Sequence, residues 1–329
     1  MPREPGHDPG QGFSWADYVD WLVETHGTLA AVAERLSSLR AYKEDAGSIE
    51  RALRRLRARG QKEGGSWGTR VLASFGLPDA ADARTRWMGA YHSRFTDLPV
   101  PLCLDLLRLW DRPPVNEAPA ARMWLAIAHA TCALRAADTE RAKEHHRRAR
   151  ASFALGPPDA RAELLLAEAF IASRDDKARV PSLLSEVEPL LSAEEKMDDA
   201  DRACLRARLV DQRAYDENKR GDLAAGEALY RTLPETGVPP FALSRRANGL
   251  AYARWKQDAR DEAIDFARAA VRHAGDGGHL RLRAMALSML GRILGSNAEG
   301  DAAKARAIEI VSSLDDEGLR LRFRYGQRS

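Results

Sequence analysis

Cysteine is scarce in this chain: Cys103, Cys132 and Cys204 are the only three among 329 residues. They stand singly in apolar helical surroundings with no C-x-x-C spacing, which excludes a disulfide frame or a cysteine-built metal centre and leaves them as small buried hydrophobes. Long apolar runs are missing too. Mean hydropathy is −0.45, and no stretch approaches the roughly 20 residues that a membrane helix needs. Met1 to Gly12 carry Pro and Gly without the basic, apolar and small-residue order of a signal peptide, so the expectation is a soluble, cytoplasmic protein. Excess charge of one sign is absent: 51 Lys and Arg face 48 Asp and Glu, a net of +3, too little to argue for nucleic acid from the whole chain. Lysine supplies only 8 of those cations and arginine 43, a skew typical of GC-rich coding, so an arginine cluster weighs less here than in a balanced chain. No segment alternates long enough to build a sheet, which leaves an all-α fold.

What is there is a helix-pair pattern written twice between Phe241 and Leu314. Leu250, Ala251, Ala263, Ala267 and Ala270 form the first copy. Leu290, Gly291, Ala303 and Ala307 hold the same places 40 residues on. A period of that size marks a stacked helical repeat; the small residues let two backbones approach while larger side chains fill the flanks. The segment Asp261 to Ala270 resembles the second helix of a tetratricopeptide (TPR) repeat, and Gly221 to Tyr230 resembles the same place one repeat earlier, with Gly226 as the small residue. A weaker echo runs from Thr139 to Phe153, where Ala142 and Ala149 keep the small positions and His146 replaces the aromatic. The resemblance implies repeats of about 37 to 40 residues in a right-handed superhelix over residues 119–318, whose first helices line a concave face that binds a protein or peptide. The polar and aromatic candidates on those helices are Arg213, Asn218, Arg246, Asn248, Tyr252 and Arg283.

Ahead of the repeats, periodicity and caps predict three helices. Ser14 starts one that stops at Gly27, Thr28 caps Leu29 to Leu39, and Ser48 opens Ile49 to Arg59. On the third, Ile49, Leu53 and Leu56 fall within one arc while Arg51, Arg54, Arg55, Arg57 and Arg59 take the other side. Residues 14–77 resemble a bacterial helix-turn-helix domain, with Gln61 to Gly68 as the hairpin of a winged version. That implies DNA contact through the five arginines. The connection between the second and third helices runs to about eight residues, against the usual three or four, and a solvated amphipathic helix with Glu50 paired to Arg54 is the competing reading.

Residues 78–118 read as a connecting αα-hairpin rich in aromatics, where Trp87, Tyr91 and Arg94 either line a pocket at the elbow or pack a junction. Beyond residue 118, Gly, Pro and Asp mark breaks between ten helices, from Pro119 to Ala136 through to Ala298 to Leu314. In the basic tail, 319–329, Leu319, Leu321, Phe323 and Tyr325 alternate with Arg320, Arg322 and Arg324. Either an extended segment or a short helix capped by Asp315, Asp316 and Glu317 fits.

Catalytic motifs fail one by one. Gly64-Gly65-Ser66-Trp67-Gly68 matches G-x-S-x-G but has no preceding strand to carry the elbow. Glu144-His145-His146 lacks a third ligand at i+4 and reads as a solvated helix face. Gly275 to Gly278 lacks the Lys-Ser/Thr of a phosphate loop. Asp198, Asp199 and Asp201 suit a helix N-terminus. The expectation is a non-catalytic scaffold or regulatory adaptor for a protein or peptide, with no cofactor, metal, membrane or small-molecule substrate; the alternative is a DNA-binding transcription regulator with a TPR-like sensor.

Overall fold

The computed structural model describes residues 12–192 and 196–326; residues 1–11 of the expected disordered N-terminal tail, 1–13, lie outside them. Among the described residues every regular element is helical and none is a strand.

The N-terminal helices begin where side chains cap them. Ser14 accepts from the backbone of Asp17, whose carboxylate accepts in return from Ser14 N at 2.8 Å, and α1 (Trp15–His26) runs to Gly27 at φ 100°. Thr28 caps α2 (Leu29–Ser37). In α3 (Ala46–Arg57) the cap is Asp45, which accepts from Ser48 N at 2.9 Å, so the helix starts three residues ahead of the expected Ser48; the carboxylate suits the positive end of the dipole better than a hydroxyl. The expected hairpin over Gln61 to Gly68 does not form. Instead α4 (Gly65–Phe75) begins there, because the glycines serve a close approach: a Cβ at Gly64 or Gly68 would fall 2.3 or 2.7 Å from the Trp15 ring.

One apolar core takes in Trp15, Leu36, Ile49, Leu53 and Val71 and continues without a break through Phe95, Cys103 and Leu107 to Ala121 and Leu125. Between residues 78 and 118, α5 (Asp79–Gly89) and α6 (Val100–Trp110) both pack on α7 (Pro119–Arg135). Gly89 permits the first contact, since a Cβ there would meet Trp124 at 2.5 Å.

From α7 onward consecutive helices pack as pairs: α7 with α8 (Thr139–Arg150), α9 (Pro158–Asp175) with α10 (Val180–Leu190), α11 (Asp199–Arg220) with α12 (Leu223–Arg231), α13 (Pro240–Lys256) with α14 (Arg260–Asp276), and α15 (Leu280–Leu294) with α16 (Ala298–Ser313). Proline opens α7, α9 and α13, where its missing N–H costs nothing. The first helix of each pair touches the first helix of the next. The small residues sit at the contacts: Ala251, Ala263, Ala267 and Ala270 are fully buried, and a Cβ on Gly291 would lie 2.9 Å from Gly300 O.

The array then returns to its start. The final segment is a helix, α17 (Glu317–Gly326), and not an extended strand; Asp316 caps it by accepting from Leu319 N at 2.9 Å. It packs on both α16 and α7, and Val100 N donates to Leu314 O at 3.1 Å.

The face of α8 read as solvated is covered. His145 and His146 are both buried, His145 stacking on His129 of α7 at 4.9 Å. Adjacent residues point about 100° apart, so a helix held between α7 and α9 cannot keep both in water. Burial pushes each imidazole down to about 4. Among the described residues no helix is long and apolar enough to cross a membrane.

Candidate functional site

Tyr91, in the turn after α5, is the point on which the inner helices converge. The guanidinium groups of Arg208 on α11, Arg245 on α13 and Arg281 on α15 lie over its ring at 4.5, 5.5 and 5.4 Å from the centroid. Its backbone N donates to Glu163 on α9 at 3.2 Å, and its hydroxyl accepts from Arg281. Each of these three arginines has a carboxylate. Arg208 pairs with Glu163, Arg245 with Asp211 at 2.5 Å and Arg281 with Asp316 at 2.7 Å. Asp316 also holds Arg135 of α7 at 3.1 Å. Burial alone would raise the Tyr91 phenol, but Arg281, Arg245 and Arg208 together bring it below the usual tyrosine value. Burial likewise works against the Asp316 carboxylate, and Arg281 and then Arg135 overcome it and hold its pKa low.

A further cation, Arg322 of α17, reaches this cluster with no carboxylate of its own among the described residues. Burial, joined by the like charges of Arg245 and Arg281, outweighs the attraction of Asp211 and Tyr91 and lowers its pKa. Arg322 itself is exposed, so its charge reaches solvent at the edge of the cluster.

The face that meets Tyr91 continues along the helices. Seven residues make almost two turns, so Tyr215 lies on the side of α11 that carries Arg208, and Tyr252 on the side of α13 that carries Arg245. Eleven residues make about three turns and bring Arg292 into line with Arg281. Tyr215 is 47% exposed, with the Lys219 ammonium 4.8 Å from its ring. Tyr252 stands edge-on to Trp255 at 6.4 Å, and Lys256 and Arg292 lie over the Trp255 ring at 4.6 and 5.0 Å. Arg208, Tyr215 and Lys219 recur 37 residues later as Arg245, Tyr252 and Lys256. The result is a stripe of aromatic rings with cations beside them, Tyr215 exposed and Tyr252 and Trp255 half-buried, repeated from α11 to α13.

Of the candidates on the first helices, Asn248 and Tyr252 lie on this stripe. Arg213 turns toward α10 and pairs with Glu188 at 2.7 Å. Asn218 places its Oδ1 under α12, within 2.3 Å of where a Cβ on Gly226 would stand. Arg246 is buried, donating to Leu233 O at 3.1 Å and pairing with Glu235. Arg283 sits about 200° around α15 from Arg281. At the elbow, Trp87 packs edge-on to Phe95 at 5.2 Å and Arg94 donates to Gly277 O at 3.2 Å, so both serve the junction while Tyr91 is the hub. The residues that sequence reasoning missed are Arg208, Arg245, Arg281 and Arg322; the 37-residue recurrence was the signal that would have found the first two.

Arg51, Arg54, Arg55 and Arg57 on α3 are all exposed, opposite the buried Ile49, Ala52, Leu53 and Leu56, and so is Arg59, which lies in the turn beyond the helix end at Arg57 and not on the helix as expected. Arg54 pairs with Glu50 at 2.5 Å and Arg57 with Asp20 of α1 at 2.7 Å. Arg51 donates to Ser48 Oγ at 2.9 Å and Arg59 to Glu63 O. Among the described residues no three His, Cys, Asp or Glu side chains are grouped to hold a metal ion. Compared with protein-family models, curated proteins and solved structures, the chain matches none.

Proposed function

We propose that this chain is a non-catalytic scaffold of TPR-like helix pairs in a right-handed superhelix that binds an extended acidic segment of a protein or peptide along its inner stripe. The carrying observation is the recurrence of an aromatic ring with an adjacent cation, exposed at Tyr215 with Lys219 and half-buried at Tyr252 and Trp255 with Lys256, continued by Arg292. Packed helices stand about 8–10 Å apart, and three residues of extended chain span about 10 Å, so every third side chain of a bound segment meets a successive helix. Carboxylates reach the cations, and apolar atoms rest on the rings. Micromolar affinity, about −8 kcal/mol, is expected. Fluorescence anisotropy with a labelled peptide that alternates Asp or Glu with Leu tests the reading. Alanine at both Tyr215 and Tyr252 is expected to weaken binding by at least about tenfold, and unchanged affinity would sink it.

A second reading rests on a different observation, the four arginines of α3 and Arg59 just beyond it all reaching solvent. In it, α1 to α3 form a helix-turn-helix-like unit on duplex DNA and the helix pairs act as its sensor. The connection between α2 and α3 spans residues 38–45, long for such a unit. Each phosphate contact from these arginines contributes about −0.9 to the slope of log K against log salt. A mobility-shift assay on random duplex at low salt decides, since no shift at micromolar protein removes the reading.

A further inference from the structure

Beside the stripe, α13, α15, α16 and α17 line a half-open cavity of about 100 Å³. Met285, Met289 and Phe323 supply apolar walls; Arg292, Lys304 and Arg322 supply cations, and no acidic side chain lines it. Lys304 is already occupied, donating to Gly295 O at 3.0 Å and to Asp301 at 3.3 Å. Arg292 rests on Trp255, and neither it nor Arg322 has a carboxylate partner among the described residues. The Oδ1 of Asn248, also in the lining, is buried with no hydrogen-bond partner. Such an orphaned acceptor is costly unless something donates to it.

These features specify a ligand by its chemistry. Two unpaired guanidinium groups call for an anionic head, which a planar carboxylate fits in bidentate fashion. Thioether and phenyl walls call for a short apolar body, methionine being adaptable to its shape. The orphaned oxygen calls for one donor. A single water needs roughly 10–15 Å³ of such space, so the cavity accommodates a molecule of about nine non-hydrogen atoms. We propose that the cavity between α13, α15, α16 and α17 binds a small apolar carboxylate bearing one hydrogen-bond donor, its head on Arg322 and Arg292 and its donor on Asn248. The site stands apart from the macromolecular partner proposed above, although Arg292 borders both.

The test is calorimetric titration of the full chain with 2-hydroxy-4-methylpentanoate. One saturable site is expected, with a dissociation constant between about 0.1 and 1 mM. Met289→Trp fills the apolar end and is expected to abolish binding, and Arg322→Ala to weaken it at least about tenfold. Removing the charge, with 4-methylpentane-1,2-diol as ligand, is expected to leave no measurable heat, and inorganic phosphate at equal concentration is expected not to displace the carboxylate. The Tyr215→Ala, Tyr252→Ala double variant is expected to keep the carboxylate site while losing the acidic peptide, so the two readings fail separately. The proposal is overturned by the absence of saturable binding to the native chain, by unchanged affinity in both Arg322→Ala and Met289→Trp, by equal binding of the diol, or by full displacement with phosphate. Should circular dichroism show Arg322→Ala unfolded, Arg292→Gln takes its place with the same expected weakening, and unchanged affinity there counts against the site.

Discussion

Asp316 carries more than any other single side chain in the closure, because two arginines from distant helices depend on it. Arg135 and Arg281 reach it at 3.1 and 2.7 Å, and Arg135 is almost wholly buried. Asp316→Asn would leave both cations poorly compensated, at an expected cost of about 3–5 kcal/mol read from the urea midpoint. Its folded pKa is depressed, so the stability it supplies is present above the ordinary carboxylate range and is lost as acid carries the pH down through the folded value. Asp316→Asn is accordingly expected to flatten the acid side of the stability profile. Gly249 makes the opposite kind of demand. A Cβ there would fall 2.1 Å from the ring of Tyr230, which is buried and tied to Asp211 at 2.7 Å. Gly249→Ala is expected to cost about 1–3 kcal/mol by overpacking, measured the same way. Sequence reasoning reached Asp316 as a helix cap but could not reach its partners, since ion pairs across 181 and 35 residues leave no local pattern.

Most helices from α7 to α16 were legible almost to their ends, because proline, glycine and capping aspartate stand at the breaks and a 3.6-residue period lies between them; α8 stops at Arg150 ahead of the expected Leu155, and α11 begins at Asp199 after the expected Glu194. Legibility failed where an element is covered by something remote. The glycines at 64, 65 and 68 suited a hairpin in isolation, and only the Trp15 ring, about 50 residues earlier, makes Gly64 and Gly68 a helix contact. For α17 the alternation fitted a strand and the acidic residues a capped helix equally well, and the Asp316 cap with the burial of Leu319 selects the helix. For α8, charge density concealed a helix flanked on two sides. The burial of its two histidines has a pH effect. The folded pKa values of His145 and His146 lie at about 4, below the ordinary value of about 6.5. Across that interval the unfolded chain binds more protons, so stability falls as pH drops from about 6.5 toward 4. His146, whose Nε2 is buried without a partner, is the better probe: in His146→Phe the urea midpoint is expected to change less between pH 7 and 5 than in the native chain.

At the scale of the molecule, the first and last helices of the array are neighbours. α17 lies on α7, and residues between 91 and 100 meet residues between 241 and 316 through Tyr91, Arg94, Asp97 and Val100. Removing residues 315–329 takes away both Asp316 and α17, and is expected to destabilise the chain by at least about 3 kcal/mol. It is also expected to raise the radius of gyration seen by small-angle scattering and to speed amide exchange in α7. Unchanged scattering would show that the pairs hold their arrangement without the closing contact. The candidate surfaces were less readable than the helices for the same reason: Asn248 and Tyr252 could be reached from the helical period, whereas the arginines around Tyr91 are assembled only when the two ends come together.

A row whose last helix sits on α7 has a quota that a row with free ends lacks. Cutting out one helix pair in frame, α13 with α14 for instance, would not give a shorter version of the same molecule but one whose final helix no longer finds its seat on α7. Members of its lineage, or engineered versions, should therefore vary in what the rungs display far more readily than in how many rungs there are.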